Sequence, residues 1–302
     1  MRILRSAVFL LFVIVLLNGC SSRKKLLHLG LISPSTNHLP VLVALEEGLL
    51  TEENMKIHWF TSGWEVNEAL VSGRIDLAIM PFTYAWQGVA ENKRVRIISF
   101  LERESDGIIA RKEISTIEEL EGLKIGVLRA STLDIFLHLA IDIYGFSPEI
   151  VYFRTPTEMA VALNSGFVDA LSFYVPAIFQ FDERFHPIFW YSDIFPEHPC
   201  CDLIALEESL IGKKEAVQSF LAAMQESCQI LATDREKGIS LIVTHFGYDR
   251  DIARKTLRQQ KFITGKEEEG KRFQELTIRK MQELGYIRKA PLSSEVYHDI
   301  PE

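Results

Sequence analysis

The amino-acid sequence predicts an α/β protein of two related lobes, preceded by a short segment that directs export. Apolar strands alternate with amphipathic helices over residues 27–191, which is typical of parallel sheets covered by helices on both faces. A motif that closes a helix in the first half of the chain recurs in the second half. From about Glu207 onward the periodicity is helical only, which predicts a helical C-terminal extension.

The first 19 residues have the pattern of a signal peptide. Two arginines precede an apolar run over residues 7–17, which is too short to span a bilayer as a helix. The run leads into Leu-Asn-Gly-Cys at residues 17–20, which resembles the bacterial lipobox, where the chain is cut before a cysteine that is then acylated. The sequence therefore predicts a signal peptide over residues 1–19 and a lipidated tether over residues 20–26, anchored to a membrane through Cys20 on its extracytoplasmic side. The alternative is an ordinary secretory signal that contains a cysteine.

The charge distribution argues against one class of partner. The chain has 302 residues and a net charge of −8 at pH 7, and no run of basic residues is longer than the three at positions 23–25. Nucleic-acid binding depends on basic patches that neutralise phosphates. We therefore expect no nucleic-acid partner.

The cysteines after Cys20 are Cys200, Cys201 and Cys228. Adjacent cysteines rarely form a disulfide with each other, and an odd number leaves at least one thiol free. No cysteine or histidine spacing matches a zinc site, such as paired C-x-x-C or H-E-x-x-H. We expect no metal site and no cofactor, with the thiols structural; the alternative is that the adjacent pair lies near a ligand.

Periodicity assigns the elements in chain order. Strands are predicted at Leu27–Ile32, Lys56–Phe60, Asp76–Met80, Val95–Leu101, Lys124–Leu128, Glu149–Phe153, Val168–Phe173 and Pro187–Tyr191. Helices are predicted between them at Leu39–Glu47, Glu65–Ser72, Tyr84–Glu91, Thr132–Tyr144 and Thr157–Ser165. The last third has helical patterns at Lys213–Thr233, Arg235–Phe246, Asp249–Leu257 and Lys266–Leu284, and we expect this extension to pack against the first lobe.

The repeated motif is Ala-Leu-Val-Ser-Gly-Arg-Ile-Asp at residues 69–76, which returns as Ala-Leu-Asn-Ser-Gly-Phe-Val-Asp at residues 162–169. Each copy is predicted as a helix closed by a left-handed glycine that leads directly into a strand. Any helix-to-strand connection in an α/β protein can look like this. The shared Ala-Leu, Ser-Gly and Asp positions nevertheless favour two related lobes.

Further segments occur in a fixed order around the repeat. They lie at residues 33–38, 44–50, 62–64, 72–76, 106–111, 119–127, 131–132 and 168–170. Together they resemble the substrate-binding proteins of ABC importers for nitrate, aliphatic sulfonates, taurine and thiamine-related pyrimidines. The similarity covers residues 27–245, most of the chain after the signal segment.

This resemblance implies a type II periplasmic-binding-protein fold, with two doubly wound α/β lobes joined by two crossing segments. Lobe one would comprise residues 27–105 plus 203–302, and lobe two residues 106–202. The chain would enter lobe two near Asp106–Ile109 and return near Cys200–Ala205.

The resemblance also implies a function. The protein would be a monomer that captures a small solute between its lobes and delivers it to the permease and ATPase subunits of an ABC importer, without catalysis. Two other classes stay open. One is an enzyme on the same fold, of the pyrimidine or menaquinone pathway type, and the other is a ligand-sensing surface lipoprotein.

The candidate binding residues follow the predicted strands, because ligands of α/β proteins bind at the carboxyl ends of parallel strands. They are Asn37, His38, Trp64, Phe82, Thr83 and Tyr84 in lobe one and Asp106, Arg129, Ser131, Thr132 and Tyr174 in lobe two.

Several of these candidates have a purely structural alternative. Trp64 would stack on a planar ligand or pack under the rim of the cleft. Ser131 and Thr132 would receive a polar or anionic group or simply cap a helix. His38 suits a hydrogen-bonded structural position, and Arg129 favours an anion only if it points inward. Two ligand classes stay open: a small planar heterocycle such as a thiamine-type pyrimidine, and a small organic or inorganic anion.

Overall fold

The computed structural model describes residues 26–300 of the chain. The predicted signal peptide and Cys20 lie outside the described residues, as does the tether up to residue 25, so lipidation stays a prediction. Within residues 26–300, no helix combines the length and the apolar character that crossing a membrane requires.

The described part of the chain alternates strands and helices as far as residue 206 and then becomes mainly helical. The strands are β1 (Leu27–Ile32), β2 (Met55–Phe60), β3 (Leu77–Pro81), β4 (Val95–Arg103), β5 (Asp106–Arg111), β6 (Lys124–Leu128), β7 (Glu149–Phe153), β8 (Ala170–Tyr174), β9 (Phe185–Trp190), β10 (Pro199–Leu206) and β11 (Lys261–Gly265). The helices are α1 (Leu39–Glu46), α2 (Gly63–Val71), α3 (Phe82–Ala90), α4 (Thr132–Tyr144), α5 (Pro156–Asn164), α6 (Glu207–Gly212), α7 (Lys214–Thr233), α8 (Arg235–Phe246), α9 (Arg250–Gln259), α10 (Glu268–Glu283) and α11 (Ser293–Val296). Every predicted strand and helix is present, with ends shifted by a few residues.

Two sheets share one strand order. The first sheet runs β11-β4-β10-β3-β1-β2 and the second runs β7-β6-β8-β5-β9. In the first sheet β1 lies between its parallel neighbours β2 and β3. In the second sheet β6 lies in the same way between β7 and β8. The next position is filled by an antiparallel strand, β10 in the first sheet and β5 in the second. This is the two-lobed α/β architecture that the sequence predicted.

Beside the expected parallel strands, the sheets contain three antiparallel strands in the described residues: β5, β10 and the edge strand β11, which pairs antiparallel with β4. The physical reason is the path of the chain. The chain passes from the first lobe into the second at β5 and returns at β10. Each of these two strands therefore runs in the direction opposite to the parallel strands of the sheet that it joins.

The repeated motif has the same structural role in both lobes. Gly73 and Gly166 have φ of +73° and +75°, the left-handed conformation that glycine adopts at low cost. The aspartate that follows each glycine then ties the new strand to the first strand of its sheet. Asp76 Oδ2 accepts from the backbone N–H of His28 at 2.7 Å, and Asp169 Oδ2 accepts from that of Lys124 at 2.8 Å.

The core of the first lobe has two layers, because side chains alternate across its strands. Leu29 and Leu31 of β1 face α1, α7 and α8 with the other apolar residues of that layer. Ala78 and Met80 of β3 face α2 and α3, where Trp86 is fully buried.

The C-terminal extension packs against the first lobe, as expected, and contacts the second lobe as well. Helices α7 and α8 do cover the first sheet through their apolar faces. Helix α10, however, packs against α4 of the second lobe. Phe273 of α10 lies with its ring centroid 5.4 Å from that of Phe136, and Lys280 pairs with Asp142 at 2.5 Å.

Replacement of Gly107 in β5 tests the tight packing of a crossing strand. A Cβ at this position would lie 2.6 Å from the backbone oxygen of Phe189 and 2.7 Å from the Trp190 ring. We expect Gly107→Ala to lower the free energy of unfolding by about 1–3 kcal/mol, because backbone cannot move aside cheaply. Gly212→Ala is the control, since a Cβ there meets nothing within 4 Å. Urea unfolding of both variants measures the difference, and equal midpoints would contradict this account of β5.

Candidate ligand-binding site

A cavity of about 570 Å³, measured with its mouth, lies between the two sheets. Ile32, Pro81, Leu128 and Tyr174 line it, and these residues end β1, β3, β6 and β8. The cavity therefore occupies the carboxyl ends of the parallel strands of both lobes, where the strand order predicts a ligand site.

Six of the sequence-predicted site residues line this cavity: Asn37, Tyr84, Asp106, Ser131, Thr132 and Tyr174. Asn37 and Tyr84 lie in lobe one and the other four in lobe two, so a bound molecule would contact both lobes. The Tyr84 hydroxyl is buried, which raises its pKa and keeps it protonated. Tyr174 donates a hydrogen bond of 3.4 Å to the carbonyl of Pro34 across the cleft.

Four predicted residues of lobe one do not line the cavity. Phe82 is fully buried, with its ring centroid 6.4 Å from that of Phe136, and Thr83 is buried beside it in the first turn of α3. Trp64 is 60% exposed, although its neighbour Gly63 does line the cavity. His38 is buried one residue behind Asn37.

His38 has a positioning role. Its ring packs against Trp59 and Phe246, with centroids 5.1 and 5.5 Å away, and its Nδ1 lies 3.0 Å from Asn37 Oδ1. Burial, with a smaller contribution from nearby His245, lowers the pKa of His38 to about 3, so the ring is neutral. It therefore orients the Asn37 amide toward the cavity without adding charge.

Arg129 does not line the cavity either. Its guanidinium lies over the rings of Tyr152 and Tyr286, 5.7 and 5.4 Å from their centroids. The Tyr286 hydroxyl donates a hydrogen bond of 3.0 Å to that of Tyr152. Arg129 thus joins lobe two to the C-terminal extension and does not line the candidate site.

β4, the crossing strand β10 and the residue before β11 supply cavity residues that sequence reasoning missed. Glu102, at the end of β4, and Gln260, which precedes β11, line the cavity together with Cys200 and Cys201 of β10. In the sequence, Glu102 is recognisable only as a charged residue at the end of an apolar strand. A strand that ends in solvent has the same pattern, so the pattern alone does not predict a cavity residue. For the two cysteines, the structure favours the alternative that they lie near a ligand.

Two carboxylates line the cavity, and the buried His198 ring, which does not line it, lies with its Nε2 3.9 Å from Asp106 Oδ2. Glu102 Oε1 accepts from the Gln260 amide at 3.2 Å and Asp106 Oδ1 accepts from the Ser105 hydroxyl at 3.2 Å, whereas Glu102 Oε2 and Asp106 Oδ2 have no hydrogen-bond partner within the described chain. No lysine, arginine or histidine of residues 26–300 is among the lining residues. Burial, reinforced by the Asp106 charge, raises the pKa of Glu102 to about 7.

Both thiols of the adjacent pair reach the cavity because β10 is irregular. Successive side chains of a regular strand point to opposite faces. Pro199 pairs with Arg103 and Cys201 with Glu102, so Cys200 is an extra, unpaired residue of a bulge. The two Sγ atoms lie 3.9 Å apart, and burial raises the pKa of both thiols.

The sequence predicted no metal site, because no ligand spacing in the chain matched one. The fold nevertheless brings together one carboxylate oxygen of Glu102 and the sulfurs of Cys200 and Cys201, all within 4.8 Å of one another. These three groups could hold a metal ion. A spacing argument fails here because Glu102 comes from a different strand.

The amino end of α4 is already occupied by a carboxylate. The Ser131 side chain accepts from the Asp134 N–H at 3.4 Å and donates to the Leu128 carbonyl at 2.6 Å. Asp134 Oδ2 accepts from the Ala130 N–H at 2.7 Å. The helix end that would attract an anion is therefore neutralised from within the chain.

A family model described as NMT1/THI5 like matches residues 35–237, about two thirds of the chain and both crossing strands. The chain belongs to the NMT1/THI5-like family. Among curated relatives, proteins of Brucella abortus and Brucella suis, provisionally named binding proteins, are 24% identical over 236 residues. That match covers 74% of this chain and 73% of each relative.

Solved structures show the same fold. The ligand-binding component of an ABC-type import system from Staphylococcus aureus, solved with zinc bound, has a TM-score of 0.79 at 18% identity over 91% of this chain and 97% of that one. The periplasmic aliphatic sulphonate-binding protein of Escherichia coli has a TM-score of 0.76 at 18% identity, over 92% of this chain and 93% of that one. The periplasmic nitrate-binding protein of Synechocystis has a TM-score of 0.74 at 14% identity, over 91% of this chain and 86% of that one. At these identities the comparisons show that the NMT1/THI5-like chain shares the fold, and they do not indicate which ligand it binds.

The raised pKa of Glu102 predicts a pH-dependent stability. The folded state favours the protonated carboxyl of Glu102, which therefore stabilises the fold at pH values below its unfolded pKa of 4.5. This stabilisation is lost as pH rises through the folded pKa of about 7. Glu102→Gln keeps the shape of the protonated form. The free energy of unfolding of the unmodified chain, measured relative to this variant, should fall by up to about 3 kcal/mol between pH 5 and 8. Exposed Glu53→Gln should show no such trend, and a flat difference for Glu102→Gln would contradict the raised pKa.

Proposed function

We propose that this protein is the extracytoplasmic solute-binding component of an ABC importer, monomeric and lipid-anchored through Cys20. We further propose that its solute is a small planar molecule that donates hydrogen bonds, such as an amino-substituted heterocycle of the thiamine-pyrimidine type. Family membership, the fold shared with importer components and the lipobox at residues 17–20 support the first part.

The ligand class rests on the two unpartnered carboxylate oxygens of Glu102 and Asp106. Buried acceptors without a donor are costly, and a ligand N–H or a positive charge would satisfy both. Tyr84 and Tyr174 add aromatic surface for a flat ring, and the Asn37 amide adds polar contacts. The candidate site thus suits a molecule with an apolar face and an amine-bearing edge.

The anion alternative has less support in this chain. A sulfonate or nitrate in the cavity would lie beside Glu102 and Asp106 with no lining cation to balance it. The amino end of α4, its best cradle, already holds Asp134. Arg129, which the anion hypothesis would use, is engaged with Tyr152 and Tyr286.

We also propose that the protein is not an enzyme. Capture and release require only that the ligand bind the closed state more tightly than the open one, by contacting both lobes. The buried thiols of Cys200 and Cys201 have raised pKa values, and a protonated thiol is a poor nucleophile. A ligand-sensing lipoprotein would use the same cavity, and co-purification of permease and ATPase subunits would separate that function from transport.

Ligand-induced stabilisation tests the ligand class. Aminopyrimidines at 100 times their dissociation constant should stabilise the full chain by about 2.7 kcal/mol, raising its melting temperature. Alkanesulfonates and nitrate should give no shift. The Asp106→Asn variant should lose the aminopyrimidine shift, because the amide presents a donor to the ligand's donor.

Asp249→Asn is the matched control, since this exposed aspartate lies away from the cavity and should keep the full shift. A shift with sulfonates and none with aminopyrimidines would show that the ligand class is wrong. If no small solute shifts the melting temperature, solute capture itself is wrong.

A further inference from the structure

Glu102, Cys200 and Cys201, here called the thiol–carboxylate cluster, form a second binding feature inside the cavity. Nothing in the capture of an amino heterocycle requires two adjacent thiols. We propose that this cluster binds a single thiophilic metal ion of the class of Zn²⁺ and Cd²⁺. This inference goes beyond the proposed function, because it depends on the thiols rather than on the solute.

The spacing of the sulfurs fits one shared ion. Two thiolates that each lie about 2.3 Å from a tetrahedral Zn²⁺ are separated by about 3.8 Å. Cys200 Sγ and Cys201 Sγ are 3.9 Å apart before any ion is bound. The Glu102 oxygen lies within 4.8 Å of both sulfurs, so a small side-chain adjustment completes a two-sulfur, one-oxygen set. Thiolates with a carboxylate are a donor set that Zn²⁺ and Cd²⁺ accept readily.

The backbone is arranged to present both thiols. Without the bulge at Cys200, one thiol of the pair would point to the opposite face of β10. Bulges often re-aim side chains beside functional sites. Cys228 is a useful contrast, because it is buried in α7 and belongs to no metal-ligating group found within residues 26–300.

The neighbours of the cluster would support a bound ion. Glu102 Oε2 is fully buried and unpartnered, so it is available as a ligand. The Asn37 amide donates to Cys201 Sγ at 3.3 Å, and the Thr132 hydroxyl lies 3.3 Å from Cys200 Sγ. Such donors orient ligating sulfurs and stabilise their charge. Binding would displace the thiol protons, and the divalent charge would balance the acidic cavity.

Three protein ligands leave a fourth position on a tetrahedral ion. That position would be open to water or to a donor atom of a molecule in the cavity. The ion would compete with an amino group for Glu102, but it would leave Asp106 free. The cavity would therefore hold either the ion alone or the ion beside a smaller solute.

Cadmium titration of the full chain, reduced and purified in detergent, tests the proposal. We expect one equivalent of Cd²⁺ to produce a thiolate-to-cadmium charge-transfer band in the ultraviolet. Cys200→Ser and Cys201→Ser should each abolish it, and Glu102→Gln should weaken Cd²⁺ affinity at least about tenfold. Cys228→Ser should leave the band unchanged. A band that persists in the Cys200→Ser and Cys201→Ser variants, or that disappears in Cys228→Ser, would overturn the proposal.

Alkylation of the unmodified chain gives a readout that does not depend on the variants folding. Cd²⁺ should slow labelling of the peptide that contains Cys200 and Cys201 but not that of Cys228. Equal labelling of the pair with and without Cd²⁺ would show that the ion site does not exist.

The two proposals fail separately. With a chelator present the unmodified chain holds no Cd²⁺, and the aminopyrimidine shift should survive there. Cadmium binding without any aminopyrimidine shift would leave the ion site standing and remove only the proposed solute.

Discussion

The chain crosses between its two sheets twice, and each crossing completes the sheet that it enters. β5 lies between β8 and β9, and β10 lies between β3 and β4, so both crossing strands are interior strands with neighbours on each side. An interior strand cannot leave its sheet without breaking two ladders of hydrogen bonds. The ends of β4, β5 and β10 are therefore held where the lobes meet. That constraint places Glu102, Asp106 and the cysteine pair in one cavity.

Local pattern was sufficient to predict much of the fold. Strands and helices that alternate along the chain bury one face each, and their periodicity is visible in the sequence. The repeat was informative because its aspartate has the same role in both lobes, where Asp76 and Asp169 each cap the first strand of their own sheet. The crossing strands were expected as connections, not as strands, because their pairing partners lie far away in sequence. β11 was missed since a five-residue edge strand beside long helical patterns has little signal of its own.

The candidate site could be predicted only in part, because a position after a strand does not fix the direction of a side chain. Phe82, Thr83 and Tyr84 begin α3 together, yet successive helical residues point about 100° apart, so only Tyr84 reaches the cavity. Asn37 and His38 lie in the turn before α1, and there too only one of the two neighbours, Asn37, lines the cavity. Glu102 was missed because its hydrogen-bond partner, Gln260, lies 158 residues further along the chain. Such groupings are products of tertiary structure.

The C-terminal extension adds a constraint of its own on the motion of the lobes. Opening the cleft would separate Phe273 of α10 from Phe136 of α4, and Lys280 from Asp142. An ion pair with an exposed partner such as Asp142 contributes at most about 1 kcal/mol, whereas exposing a buried aromatic ring costs about 1.5–3 kcal/mol. The aromatic contact is therefore the larger of these two contributions, and the stack of Arg129 on Tyr152 and Tyr286 lies beside it. These contacts within the chain therefore favour the arrangement of the lobes described above, and a solute that contacts both lobes would add to that preference.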